Sequence, residues 1–223
     1  TRLSQPSYKG TDIMNVAIVA ASGMTGTELI EQALAAGHNV IGLARTPENI
    51  KSNDPRVTKR RGDAFDEASI VDGLEGADAV ITSVGKRDLF DKRYKLSTIA
   101  HAAVLKGMNK HNIKRLIVIS STGAPPLKRD GIQRNIYLFL RRKYYADMYQ
   151  MEQQVMDSGL DVTVVRAPYL VEGGADGDYF VEEQENYPVG IKISRANLAH
   201  FLINELDKSE WNKRVIAVVG NAE

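Results

Sequence analysis

The sequence predicts a single-domain α/β fold, a doubly wound parallel sheet with helices on both faces. Short β-rich runs such as "NVAIVAA" alternate with longer stretches of helical period, and strands apolar on both faces belong to covered parallel sheets. The length of 223 residues suits one domain, large enough to bury roughly 70 % of its unfolded surface. No repeat, low-complexity tract or linker divides the chain.

The elements follow in order. "NVAIVAA" opens as a buried strand, and the next helix carries Leu29, Ile30, Ala33 and Leu34 on one face. Gly37 closes that helix as a left-handed cap. "NVIGLAR" is the second strand, and a third precedes "RRGDAFD". Helical "DEASIVDGLEG" leads into strand "ADAVITSVG", and helical "KLSTIAHAAVLKGMNKHN" into strand "KRLIVISSTG". After a loop from Ala124 to Arg134, a long helix runs from about Arg134 to Ser158 and precedes "LDVTVVRAPYL". "SRANLAHFLINELDKS" places Ser194 as an N-cap, and "KRVIAVVG" is the last strand. Residues 1–13 read as a flexible extension ahead of a domain over 14–223.

Composition narrows the function. Lys and Arg total 29 against 28 for Asp and Glu, a balance that points to neither nucleic acid nor a membrane surface. The absence of cysteine removes disulfides, thiolate catalysis and Cys-based metal sites, and suits a reducing cytoplasm. No apolar run approaches the roughly 18–20 residues of a membrane span.

The segment "AASGMTG", Ala20 to Gly26, joins the first strand to the first helix. Gly23 and Gly26 let the backbone turn tightly and approach a pyrophosphate, and the helix starting near Thr25 aims its unpaired N–H groups at it. Ser22 and Thr25 add hydroxyl donors, and Ala20 and Met24 complete the loop. The position in the first strand–helix unit selects a dinucleotide over a plain turn. Arg45 ends the second strand, where folds preferring NAD carry an acidic residue. A guanidinium there matches a 2′-phosphate, Thr46 can donate beside it, and NADP is favoured with NAD as the alternative.

Asp63 in "RRGDAFD", followed by Ala64, fits either an acceptor for the adenine amino group or a turn aspartate. "SVG" at Ser83, Val84 and Gly85 and "SSTG" from Ser120 end strands on the ligand side, where small residues permit close approach of a ribose or nicotinamide. Lys86 and Arg87 fit phosphate contacts or a solvated loop.

These motifs, together with "GADAVITSVG", "MEQQVMDSGLDVTVVRAPYL" and "ISRANLAHFLINEL", resemble the atypical short-chain dehydrogenase/reductases. The likeness is to the NAD(P)H-binding group around flavin reductase and biliverdin-IXβ reductase, within the NmrA-like superfamily. It runs through nearly all the chain after Met14. It implies a Rossmann domain with the substrate pocket at the carboxyl ends of the strands. It further implies that Ser121 lies beside nicotinamide and substrate, and that Pro168, Tyr169 and Leu170 wall the nicotinamide.

The chain departs from that pattern at defined points. The first glycine of the family's Gly-x-x-Gly-x-x-Gly is Ala20. Tyr144 falls at the position of the family's tyrosine, but Met148 replaces the lysine that lowers its pKa. Tyr149 or a close neighbour takes the place of an active-site histidine. The implied activity is an NADPH-dependent oxidoreductase passing hydride to a flavin, quinone or similar planar acceptor, with Ser121, Tyr144 and Tyr149 as its catalytic set. The alternative is a non-catalytic NADP(H) sensor or assembly partner; a nucleotide-sugar epimerase or dehydratase ranks below both. The expected assembly is a monomer or small homo-oligomer, with neither a nucleic-acid nor a membrane partner.

"IYLFLRRKYYADMYQ" interleaves Arg141, Arg142 and Lys143 with Tyr137, Phe139, Tyr144, Tyr145 and Tyr149. It reads as a helix with an aromatic core stripe, as a surface contacting the acceptor, or as a patch for other partners. His38, His101, His111 and His200 lack metal-ligand spacing, with His101 and His200 structural. Glu152 reads as a surface or capping charge.

Overall fold

A computed structural model describes residues 12–85, 95–124, 141–183 and 192–220. Lys86, Arg87, Tyr137, Phe139, the expected start of the long helix and residues 1–11 of the expected extension lie outside these.

The chain begins with β1 (Asn15–Val19), α1 (Met24–Ala35), β2 (Asn39–Ala44), β3 (Val57–Arg61), α2 (Glu67–Gly73) and β4 (Ala79–Thr82). It continues through α3 (Leu96–Lys110), β5 (Arg115–Ser121), α4 (Arg142–Met156) and β6 (Asp161–Ala167). It ends with β7 (Tyr169–Val171), β8 (Tyr179–Glu182), β9 (Lys192–Ser194), α5 (Arg195–Lys208) and β10 (Arg214–Gly220). The main sheet has eight strands in the order β3-β2-β1-β4-β5-β6-β10-β8. β1 pairs in parallel with both β2 and β4, so successive connections diverge on either side of it. That reversal opens a crevice at the carboxyl ends of the strands.

The period-two alternation of buried strands divides the interior. Val16 and Ile18 of β1 face Leu29 and Ile30 of α1 and Leu198 and Leu202 of α5. Ala17 and Val19 face the other way, into a cluster with Ile70 of α2, Val104 and Met108 of α3, and Met151 and Val155 of α4. Each face of the sheet thus has its own core, as a doubly wound sheet requires.

The expected punctuation holds. Gly37 has φ +93° just past α1, and the Ser194 hydroxyl accepts from the Asn197 amide at 3.0 Å. The sheet is mostly parallel as expected, with β8 added antiparallel to β10 at its edge. A second, two-stranded sheet of β7 and β9 had no counterpart in the sequence reading. Among the described residues, no helix is long and apolar enough to cross a membrane.

Candidate cofactor site

The crevice contains a cavity of about 280 Å³ at the ends of β1 to β4. Ala20, Ser22 and Gly23 line it from the first loop, Arg45 from the end of β2, Asp63 and Ala64 from the end of β3, and Ser83, Val84 and Gly85 from the end of β4. The sequence therefore brought residues from four separate strand ends to one space. Met24, Thr25, Gly26 and Thr46 sit beside that lining without being part of it.

The loop geometry separates the roles of its small residues. Ala20 takes φ +67°, a left-handed conformation that costs a residue with a Cβ about 1–2 kcal/mol. A glycine would be free of that penalty, so the alanine crowds the turn in energy. Its carbonyl accepts from the Gly23 amide at 3.0 Å. A Cβ on Gly23 would stand 3.3 Å from that carbonyl oxygen, a tight but tolerable approach. On Gly26 it would stand 2.6 Å from the same oxygen and 2.7 Å from the Ala21 carbonyl oxygen. Gly26 is buried in α1. Its lack of a side chain lets the helix press on the strand end, which is the tight turn expected of it.

Gly23 is the N-cap of α1, which has no side-chain cap and no acidic residue in its first turn. Its leading N–H groups are left for an external acceptor, and the positive end of the helix dipole lies at the cavity wall. Arg45 is exposed on the rim with no ion pair among the described residues. Asp63 serves in a turn: one carboxylate oxygen accepts from the Phe65 amide at 3.1 Å. A carboxylate keeps further lone pairs, so the turn reading and the ligand reading are compatible. An uncapped helix start, a glycine cradle and a rim cation are what a phosphorylated dinucleotide requires, and the residues present fit it.

Farther along the crevice the predicted residues lie at the ends of β5 and β6, outside the cavity lining. The Ser121 hydroxyl accepts from the Gly123 amide at 3.2 Å. Ser120 is buried, and its hydroxyl donates to Glu152 at 2.5 Å. Glu152 also receives Arg166 Nε at 3.0 Å and Nη2 at 2.7 Å and is 0 % exposed. Reading Glu152 as a surface charge was wrong. The signal was present, since Met148, Met151, Glu152 and Val155 follow the spacing of one helix face and are all buried.

Tyr144 and Tyr149 are half-buried on α4. The ring set against the end of β5 is Tyr145: a Cβ on Gly123 would meet its Cε1 at 2.5 Å. Tyr144 lies against Tyr145, with ring centroids 5.3 Å apart. Met148, in the place of the family's lysine, is buried. Tyr169 is 77 % exposed, Leu170 pairs with Ile193 in the small sheet, and Pro168 links β6 to β7.

Two polar contacts hold the floor of the site. Asp147 accepts from the Ser97 and Thr98 amides at 2.8 and 3.1 Å, so α4 supplies the acidic N-cap that α3 lacks in its own sequence. His101 Nδ1 lies 2.8 Å from the Ser97 carbonyl and Nε2 lies 2.7 Å from the Thr82 hydroxyl. A carbonyl only accepts, so Nδ1 carries the proton and Nε2 accepts. Burial pushes the His101 pKa down to about 4, which keeps the ring neutral. The structural reading of His101 agrees with these contacts.

Fold and site together define a dinucleotide-binding type of domain. Residues 20–209 match the NAD(P)H-binding family, and the chain belongs to that family. An uncharacterized protein of Saccharomyces cerevisiae is 30 % identical over 172 residues, which cover 73 % of this chain and 56 % of that protein. The chain thus spans little more than half the length of that relative. An anaerobillin reductase from Escherichia coli O157:H7 superposes with a TM-score of 0.77 at 19 % identity, covering 94 % of this chain and 98 % of the other. A provisionally named NADH-flavin reductase from Streptococcus pneumoniae TIGR4 gives 0.74 at 21 % identity, covering 93 % and 100 %. At these identities the likeness to the solved structures is one of fold.

Proposed function

We propose that the chain is an NADPH-dependent oxidoreductase that passes hydride to a flavin, quinone or similar planar acceptor. The observation that carries this reading is the strand-end cavity, with an uncapped helix start on one wall and Arg45 on its rim.

When bound, the nicotinamide supplies the hydride. The leading amides of α1 and the Ser22 hydroxyl hold the pyrophosphate, and Arg45 with Thr46 meets the 2′-phosphate. Ser83 to Gly85 admit the ribose closely because they carry little bulk. Ser121 orients the nicotinamide end, and the Tyr145 ring against Gly123, with Tyr144 beside it, offers an aromatic surface to a flat acceptor. Met148 is buried where the family pattern has a lysine, so that position supplies no ammonium to Tyr144. Solvent then supplies protons, which suits acceptors that need no general acid. The reductase names of two structural neighbours favour the same class of acceptor.

The test has two parts. Titration of NADPH and NADH into wild type and Arg45→Glu reads the 2′-phosphate contact. NADPH affinity falls roughly 10- to 100-fold, the equivalent of a lost charge-assisted bond, while NADH affinity holds. Steady-state assays with flavins and quinones read the chemistry. Tight NADPH binding without turnover refutes the reductase and favours the NADP(H) sensor.

A further inference from the structure

The chain has six methionines and no cysteine, so thioethers are its only sulfurs open to oxidation. Burial sorts them. Met108, Met148 and Met151 are buried in the core, and Met14 and Met156 are half-buried. Met24 alone of the six stands open, with 55 % of its surface exposed. It is the first residue of α1 and directly follows Gly23 of the cavity wall.

The amides of Met24, Thr25 and Gly26 precede the first intrahelical bond, which runs from the Thr27 amide to the Gly23 carbonyl at 2.9 Å. No side chain caps them, and in the cofactor reading above they receive the pyrophosphate. Side chains of a helix tilt toward its N-terminus, so the Met24 side chain leans toward the ligand end of α1. As a thioether it is apolar and flexible, and it neither competes for those donors nor repels phosphate oxygens. A sulfoxide differs on both counts, because its oxygen is polar and accepts hydrogen bonds strongly.

We propose that Met24 is an oxidation site through which peroxide lowers the affinity of the loop for its dinucleotide. The proposal rests on that cofactor reading. In the step, the sulfur lone pair attacks one peroxide oxygen and the O–O bond breaks. That oxygen stays on sulfur as the sulfoxide, and the other leaves as water after proton transfer. Sulfur is oxidised and peroxide reduced by two electrons. The proposed activity has its own source of the oxidant, because a dihydroflavin or hydroquinone passes two electrons and two protons to O₂ and yields hydrogen peroxide. In a chain without thiols, that product acts back on the loop where the reductant enters.

The folded protein is treated with hydrogen peroxide, oxidised residues are mapped by peptide mass spectrometry, and NADPH affinity is measured by calorimetry before and after. Met24 is the first methionine to gain an oxygen. NADPH affinity then falls roughly three- to tenfold, the range of one net hydrogen bond. Methionine sulfoxide reductases of both epimer specificities restore it. Met24→Leu, whatever its starting affinity, shows no change on the same treatment, and circular dichroism shows both proteins folded throughout. If another methionine is oxidised before Met24, if complete oxidation of Met24 leaves the affinity unchanged, or if Met24→Leu loses as much as wild type, the oxidation site is refuted and the cofactor reading survives. If the untreated protein binds neither NADPH nor NADH, both fall together.

Discussion

Replacing Glu152 with glutamine should destabilise the protein severely although the two side chains have the same shape. In the native fold the carboxylate is fully buried and receives Arg166 Nε, Arg166 Nη2 and the Ser120 hydroxyl at 3.0, 2.7 and 2.5 Å. An amide can accept at its oxygen, but its NH₂ then faces a donor, and the guanidinium of Arg166, at 12 % side-chain exposure, loses the charge of Glu152. Removing one partner of a buried pair costs about 3–5 kcal/mol, against a total stability of roughly 5–15 kcal/mol for a domain. For a chain of this size, each kcal/mol moves the melting point by about 2–4 °C, so E152Q melts roughly 6–20 °C below wild type. Urea denaturation monitored by circular dichroism gives the free energy directly. The double variant Glu152→Leu with Arg166→Met removes the charges together and should recover much of the loss, because desolvation no longer has to be offset. A loss below about 1 kcal/mol in E152Q, or a double variant no better than the sum of its singles, would refute the reasoning.

Other perturbations test other parts of the frame. His101 is held neutral in the fold with its pKa near 4, so the unfolded chain takes up its proton first as pH falls. Stability is therefore flat above about pH 6.5 and declines between there and about pH 4, by roughly 3 kcal/mol from this group; denaturant titrations across that window should lose this component in His101→Gln. Gly26→Ala drives a Cβ to 2.6 Å from the Ala20 carbonyl oxygen and should cost about 1–3 kcal/mol as α1 is pushed from the strand, with thermal melting as the measure. Ala20→Gly relieves a positive φ of 67° and should raise stability by up to about 1 kcal/mol despite the greater freedom of glycine when unfolded; a lower melting point would count against it.

The parts of the molecule legible in its sequence are those governed by local rules. The strand–loop–helix unit at Ala20, the Gly37 cap and the Ser194 N-cap are each specified within a few residues, and the structure has them. β8 escaped because "YFVE" is a half-buried edge strand, without the long apolar run that marks a strand covered on both faces. Phe65, which also lines the cavity, escaped because a turn residue follows no period. Tyr145 and Tyr144 are adjacent on α4, and only the helix's rotation against β5 decides which ring meets Gly123. The Asp147 cap of α3 joins residues some 50 positions apart, beyond any local signal.

The substitution at Met148 illustrates how a departure from a family pattern becomes an argument about chemistry. In isolation, losing a lysine says only that one catalytic partner is missing. In the fold, Met148 is buried on the α4 stripe that continues into Met151 and Val155, so its place belongs to the core and not to a wet, charged site. Neighbouring Asp147 is also committed, since its carboxylate is occupied by Ser97 and Thr98. Position 148 therefore offers no ammonium to Tyr144. A reaction that must protonate an alkoxide would stall there, whereas a hydride acceptor that delocalises its charge over a flat ring would not. For the proposed reductase this sets the pH dependence: turnover with a flavin should show no rate limit titrating with a tyrosine, whereas any slow reduction of a simple ketone should fall as proton supply from solvent falls.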